Sequence, residues 1–303
     1  MASVIVKNSI PADLKPLMDE WTGEYNLVPQ QWEQIFKSYN SNEAFEKDGL
    51  LSDFTYVPKK PEVQAVSYSD FSQQFTTTYN HDSYGLGFQV SREAQDDFQT
   101  INVVERGTKG LFNATTRTYE YTGASVINNG FDATYPGGDG APLFSSSHPT
   151  IQGNQSNILA TPAAFSEAAL EQLLIQIGQA KSHSGTFIAL KSEKCIIPPA
   201  LMFEAQRITK SILQADTANN SLNAIKSMGM FPGGVHTNQY LTNSGQYTII
   251  TSEPHGLKHF NRTAPEITRD QAFDQEVLKI KIFFRFSFGW TSFRGAYSSY
   301  APA

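Results

Sequence analysis

The sequence predicts a mixed α+β fold in which an arm projects from a packed body. Three observations carry this. "LKIKIFFRFSFGW" places an apolar residue at every second position from Leu278 to Trp290, and helical spacing of apolar or small residues is held from Ala94 to Val126. Between them and the N-terminus, Asp53 to Val90 has the composition of strands but few aliphatic side chains.

Up to about Leu51 the apolar residues recur at helical spacing: Leu14, Leu17, Met18 and Trp21, then Trp32, Ile35, Phe36 and Tyr39. Pro11, Pro16 and Pro29 divide this stretch into pieces too short to stand alone, so it reads as an arm laid over something else. From Asp53 to Val90, Thr, Tyr, Phe and Val in partial alternation predict extended strands. A segment with so little aliphatic material cannot build its own core. A long β-hairpin projecting from the body is expected, and its edges and aromatics would be a liability in a monomer.

A helix starts near Ser91, a natural N-cap, with Glu93, Asp96 and Asp97 at the positive end of its dipole. Ala94, Phe98, Ile101, Val104, Thr108, Leu111, Thr115, Tyr119, Thr122 and Val126 then mark one face. Unbroken, this helix would be on the order of 55 Å long, with Gly107, Gly110 and Gly123 as places for bends. "NNGFDATYPGGDGAPLFSSSHPTIQGNQSN" follows, an irregular segment of a length that points to function or partner contact. Ser166 caps a second helix, Phe165 can staple onto Leu170, and Leu170, Leu173, Leu174 and Ile177 form its buried face. "TFIALKSEKCII" reads as a strand or strand pair. "PPALMFEAQRITKSI" reads as a third helix, with Pro199 in its first turn and Leu201, Ala205, Ile208 and Ile212 on one face. Gln214 to Thr251 reads as loops and short strands such as "YTIIT". In the last long strand, Leu278, Ile280, Ile282, Phe284, Phe286, Phe288 and Trp290 face the core, and Lys279, Lys281, Phe283, Arg285 and Ser287 face away.

With 303 residues the chain can bury a sizeable core as one elaborate domain or two interleaved ones. Its single cysteine, Cys195, excludes an internal disulfide and any multi-cysteine zinc site. The first twenty residues read as neither a secretory signal nor a membrane span, which fits a reducing cytoplasm. A net charge of −6 with 17% charged residues gives no field for gripping nucleic acid. The 21 Phe and 13 Tyr on a polar, low-charge background suit broad contact surfaces as well as cores.

Candidate chemistry is thin. Ser145-Ser146-Ser147-His148 lacks the strained G-x-S-x-G elbow, and neighbours in an extended chain point apart, so the stretch reads as a turn and not a catalytic dyad. His255 and His259 are four apart, but Pro254 and Gly256 argue against the helix that would align them as metal ligands. "GMFPGGVH" has no lysine after its glycines and is no phosphate loop. No catalytic residue, cofactor or metal is expected. Lys59-Lys60, between Pro58 and Pro61, stands at the apparent arm tip, as a solvated tip or in contact with acidic residues of a neighbouring subunit.

Four phrases, in this order, resemble the major capsid proteins of tailed bacteriophages with the Hong Kong 97-type fold, above all the Mu-like major head subunits. They are "KKPEVQAVSYSDF" leading to "YGLGFQVSREAQDD", then "NNGFDATYPGGDGAPLFSSSHP", "CIIPPALMFEAQRI" and "FGWTSFRGAYSS". The resemblance implies an N-terminal arm over 1–52, an extended loop over 53–90, and a peripheral domain with the spine helix and following loop over 91–164. An axial domain over 165–255 and a return to the peripheral domain over 256–303 complete it. It further implies self-assembly into hexamers and pentamers that form an icosahedral shell around double-stranded DNA, in a virion assembled in the bacterial cytoplasm. Expected partners are other copies of the chain, a separate scaffolding protein, a portal and a decoration protein, with no membrane and no sequence-specific DNA contact. Contact candidates between subunits are Lys59, Lys60, Tyr68, Phe71 and Phe75 on the arm, Asp139 and Phe144 in the loop after the helix, and Arg294. Alternatives are an encapsulin-type shell that encloses enzymes, a tail tube subunit and, from another class, an unrecognised hydrolase.

Overall fold

A computed structural model describes residues 30–70, 73–97, 103–212, 222–272, 274 and 276–300. In chain order the strands are β1 (Lys37–Asn40), β2 (Phe45–Leu51), β3 (Gln73–Asn80), β4 (Asp82–Ser91), β5 (Ser192–Ile197), β6 (Val235–Thr237), β7 (Gln246–Thr251), β8 (Leu257–Ala272), β9 (Val277–Trp290) and β10 (Ala296–Tyr300). The helices are α1 (Arg92–Asp97), α2 (Val103–Asn128), α3 (Glu167–Gly178), α4 (Met202–Lys210) and α5 (Ala224–Ser227). They build two four-stranded sheets, ordered β1-β8-β9-β4 and β10-β7-β5-β6, and a two-stranded ribbon, β2-β3.

The first sheet grows from β9, which keeps the predicted alternation over its middle: Ile280, Ile282, Phe284 and Phe286 are buried while Lys279, Lys281 and Phe283 are exposed; Ser287, expected to face away, is buried against His81. Across its inner face lies α2, whose Tyr119 ring stacks on Phe286 at 4.2 Å. At 26 residues α2 spans about 39 Å. Residues 98–102, where the predicted helix would join α1 to α2, lie outside the described residues. Of the glycines expected to mark bends in α2, Gly107 and Gly123 stand at close approaches, while a Cβ on Gly110 would meet open space. A Cβ on Gly107 would stand 2.3 Å from the Phe88 ring, and one on Gly123 would stand 3.2 Å from Trp32 Cβ. Thr108, Thr115, Thr118 and Thr122 each donate a hydroxyl hydrogen bond to the carbonyl four residues back, so these hydroxyls are satisfied within the helix itself.

The N-terminal reading changes at Trp32. No second helical piece forms there. Trp32–Gln34 is a single 3-10 turn, and Trp32, Ile35 and Phe36 drop into the core under α2 and β9. Leu14 to Trp21 lie outside the described residues. The hairpin expected within 53–90 is also built differently. Strand β3 pairs antiparallel with β2, from Phe45↔Asn80 to Leu51↔Gln73, and β4 pairs with β9. The outgoing strand of the arm therefore begins at Phe45, upstream of Asp53. Its sequence, "FEKDGLL", is too charged to announce a strand, and only the ladder with β3 makes it one.

Strand β8 gave no sequence signal. Beyond its buried start its side chains are half-buried or exposed, and Pro265 interrupts it, so it is held by its backbone ladder to β9. The second sheet carries a second core, in which α3 buries Leu170, Leu173 and Ile177 against Cys195, Ile197, Tyr247 and Ile249. Ser166 caps α3 as predicted, accepting from the Ala169 N–H at 3.3 Å. Pro199 opens the 3-10 turn before α4, and Ala205 is buried, but Ile212 lies past the helix and is exposed. The tail does not stay with β9 throughout. Strand β10 pairs antiparallel with β7 in the second sheet, because Tyr297 packs into that core and Ser298 Oγ donates to Tyr247 O at 2.8 Å.

Candidate functional site

The feature without a purpose inside one chain is the arm. Its ribbon ends at Leu51 and Gln73, and from Asp53 to Asp70 every residue is exposed. Pro58 and Pro61 bracket Lys59 and Lys60, and a turn follows in which Gln64 N–H donates to Pro61 O and Val63 takes a φ of 65°. Val57, Val63 and Tyr68 are 94%, 99% and 95% exposed, and Phe54, Tyr56 and Val66 are exposed beside them. Such a run of apolar side chains in water marks a surface awaiting a partner.

The base of the arm, by contrast, is firmly docked. The Asp48 carboxylate is paired with Lys258 Nζ and accepts from Thr291 Oγ1 at 2.6 Å. Burial works against ionisation of Asp48, but the Lys258 and Thr291 hydrogen bonds and the Lys258 charge hold its carboxyl below the usual range. Tyr79 OH lies 2.6 Å from the same Thr291 hydroxyl. Where the ladder ends, Asp53 accepts from Ser184 Oγ at 2.5 Å and from Thr186 Oγ1 at 3.4 Å. Gln74 Oε1 meets His183 Nε2 at 2.9 Å, and the Phe75 ring stands edge-on to His183 at 5.4 Å. Between the arm's first exposed residues and the loops at 152–155 and 181–186 lies a polar cavity of about 420 Å³.

The candidate residues sort into two groups. Lys59, Lys60 and Tyr68 are exposed on the arm, Phe75 is half-buried at its base, and Phe71 lies outside the described residues. Phe144, Arg294 and the side chain of Asp139 are instead buried within the chain itself. Asp139 Oδ2 stands 2.7 Å from His148 Nδ1, with both side chains buried. His148 lies flat on Phe293 at 4.0 Å, and its Nε2 is 3.2 Å from Asn157 Oδ1. Asn157 shares its amide hydrogens among Leu143 O, Phe293 O and Ala296 O, and its Oδ1 accepts from Ser145 N–H. Arg294 donates to Lys181 O at 2.7 Å and to Gln155 Oε1 at 3.1 Å. A Cβ on Gly137 would strike the Trp290 ring at 2.1 Å. "GGDGAPLFSSSHP" is thus an internal brace between the two sheets. Among the described residues no serine hydroxyl is bonded to the His148 ring; Ser147 Oγ accepts from Asn154 instead. His259, the other half of the weighed metal pair, is buried among Trp32, Tyr119, Phe286 and Phe288.

Sequence reasoning missed Asn157, Lys258 and His183. Their partners are up to 210 residues away along the chain, so no local pattern marks them.

A family model described as phage capsid protein matches residues 74–299. The chain belongs to that family. Solved structures agree on the fold of this capsid protein. A chain from Mycobacterium phage Patience superposes with a TM-score of 0.57 at 12% identity, covering 100% of this chain and 91% of that one. The capsid of Myoviridae phage XM1 gives 0.54 at 9% identity, covering 99% of each. The capsid of cyanophage P-SCSP1u gives 0.57 at 11% identity, covering 98% and 97%. No curated protein matches it in sequence. The Hong Kong 97-type architecture implied by the four sequence phrases is present, with α2 as its spine helix, and the capsid protein's role is that of a shell subunit.

Proposed function

We propose that this capsid protein assembles with itself into hexamers and pentamers that close an icosahedral head around double-stranded DNA, each copy laying its arm on a neighbour. The observation that carries this is the arm itself: docked at its base, and carrying exposed Phe54, Tyr56, Val57, Val63, Val66 and Tyr68 beyond it. Lys59, Lys60, Tyr68, Phe71 and Phe75 are its contact residues, and the polar cavity beside Tyr56 is the place where an adjoining copy meets its root. Many moderate interfaces per subunit supply the assembly energy. A net charge of −6 leaves the inner wall without a general grip on phosphates, which suits packaging and release. The work is structural, with no catalytic step. A separate scaffolding protein and a portal guide closure in the host cytoplasm, a decoration protein can join the finished shell, and the protein ends in the virion.

Electron microscopy after size-exclusion chromatography tests this, with the scaffold co-expressed where the protein alone stays monomeric. Closed shells, or rings of five and six, are expected. A monomer under both conditions overturns the reading.

A further inference from the structure

We propose that β1 and the arm strands β2 and β3 are fastened to the body by three buried histidines, so that mild acid loosens them while strand β9 beneath stays paired with β8 and β4. Each histidine is buried, and each bonds across the same seam. On β8, His259 Nδ1 is 2.9 Å from Ser38 Oγ of β1. Just after β3, His81 stands between Ser41 Oγ at 3.1 Å and Ser287 Oγ of β9 at 3.0 Å. In the loop after α3, His183 Nε2 is 2.9 Å from Gln74 Oε1 of β3.

The surroundings of all three favour the neutral ring. His259 sits among the rings of Trp32, Tyr119, Phe286 and Phe288, and burial alone pulls its pKa down to about 4. Of the charged residues that adjoin Trp32 and His259 in the chain or by contact, Glu120 accepts from the N–H groups of Gln31 and Trp32, and Lys258 is paired with Asp48. Burial lowers His81 as well; Arg285 and Arg262 add to this, while Glu46 and Asp82 oppose it. His183 is lowered by burial and then by Arg294, against the pull of Asp53. A proton on any of these rings would put a charge into the seam without a direct carboxylate partner among the described residues.

The sign follows from linkage. A histidine whose folded pKa is depressed contributes stability that is complete above its unfolded value near 6.5. That stability is lost as pH falls through the folded values, down to about 4 for His259. The Asp48 and Asp53 contacts fail later, because those carboxyls are held below the ordinary value of 3.8. The arm therefore loosens before its carboxylate contacts titrate. A docked arm can thus be freed and re-seated without unfolding the protein. This inference concerns contacts within one chain and stands apart from the shell reading.

Hydrogen exchange of the full-length chain, followed by mass spectrometry from pH 7.0 to 4.5 and corrected for intrinsic rates, tests it. Peptides covering 36–50 and 73–81 are expected to open about tenfold more often at pH 4.5, a population shift within reach of one buried protonation. Peptides from 280–288 are expected to hold. His81→Gln and His183→Gln keep a neutral hydrogen-bonding group, and together they should blunt the response at least threefold. Equal opening of both regions, or an unchanged acid response in the double variant, overturns the proposal. Should the double variant fail to fold at pH 7, the comparison of the two wild-type regions decides alone.

Discussion

At the scale of residues, Asn157 shows how one side chain can join distant parts of a fold. It satisfies carbonyls from the loop after the spine helix, from the turn before β10 and from the first residue of β10, the last of them 139 residues from Asn157. Removing its amide leaves buried carbonyls unpaired, at about 1–3 kcal/mol for each group not rescued by water. Asn157→Ala should therefore lower the unfolding free energy by about 3 kcal/mol, read as a reduced urea midpoint with an unchanged slope. Asn157→Asp should be no better, because it replaces a donor with an acceptor facing three carbonyls.

At the scale of elements, β9 is the strand on which the first core rests, and it works through one face. Phe286 is fully buried and meets Tyr84, Tyr119 and Phe284 in stacked geometry. Phe286→Ala should cost about 3–5 kcal/mol. Lys281→Ala, five residues earlier on the exposed face, should fall within about 0.5 kcal/mol of wild type in thermal unfolding. This face-by-face contrast was legible in the sequence because alternation is a local property of a strand. The polar β8 was not, since what makes it a strand is its ladder to β9. Likewise β2 becomes the arm's outgoing strand only through β3.

For the whole molecule, the two cores and the arm serve different ends. Residues 54–70 touch neither core cluster, so the fold of one chain does not need them. Replacing 54–70 with a short Gly-Ser turn should leave the melting temperature within about 3 °C. The same variant should form neither rings nor shells by electron microscopy under conditions where the intact chain does. Assembly that survives the deletion would show that the interfaces lie elsewhere, on the α/β body.

The sequence by itself determined the class of fold, the spine helix from Val103 onward, the capped α3, the two-faced β9 and the capsid family, because spacing, caps and phrases are local. Only the tertiary structure decided the rest. It turned the side chains of Asp139, Phe144 and Arg294 inward, moved β10 to the second sheet, and showed which strands make the arm. The physical reason is common to all of these. Burial and strand pairing are bargains between residues far apart in the chain, and a residue's own neighbours carry no record of the partner it will meet.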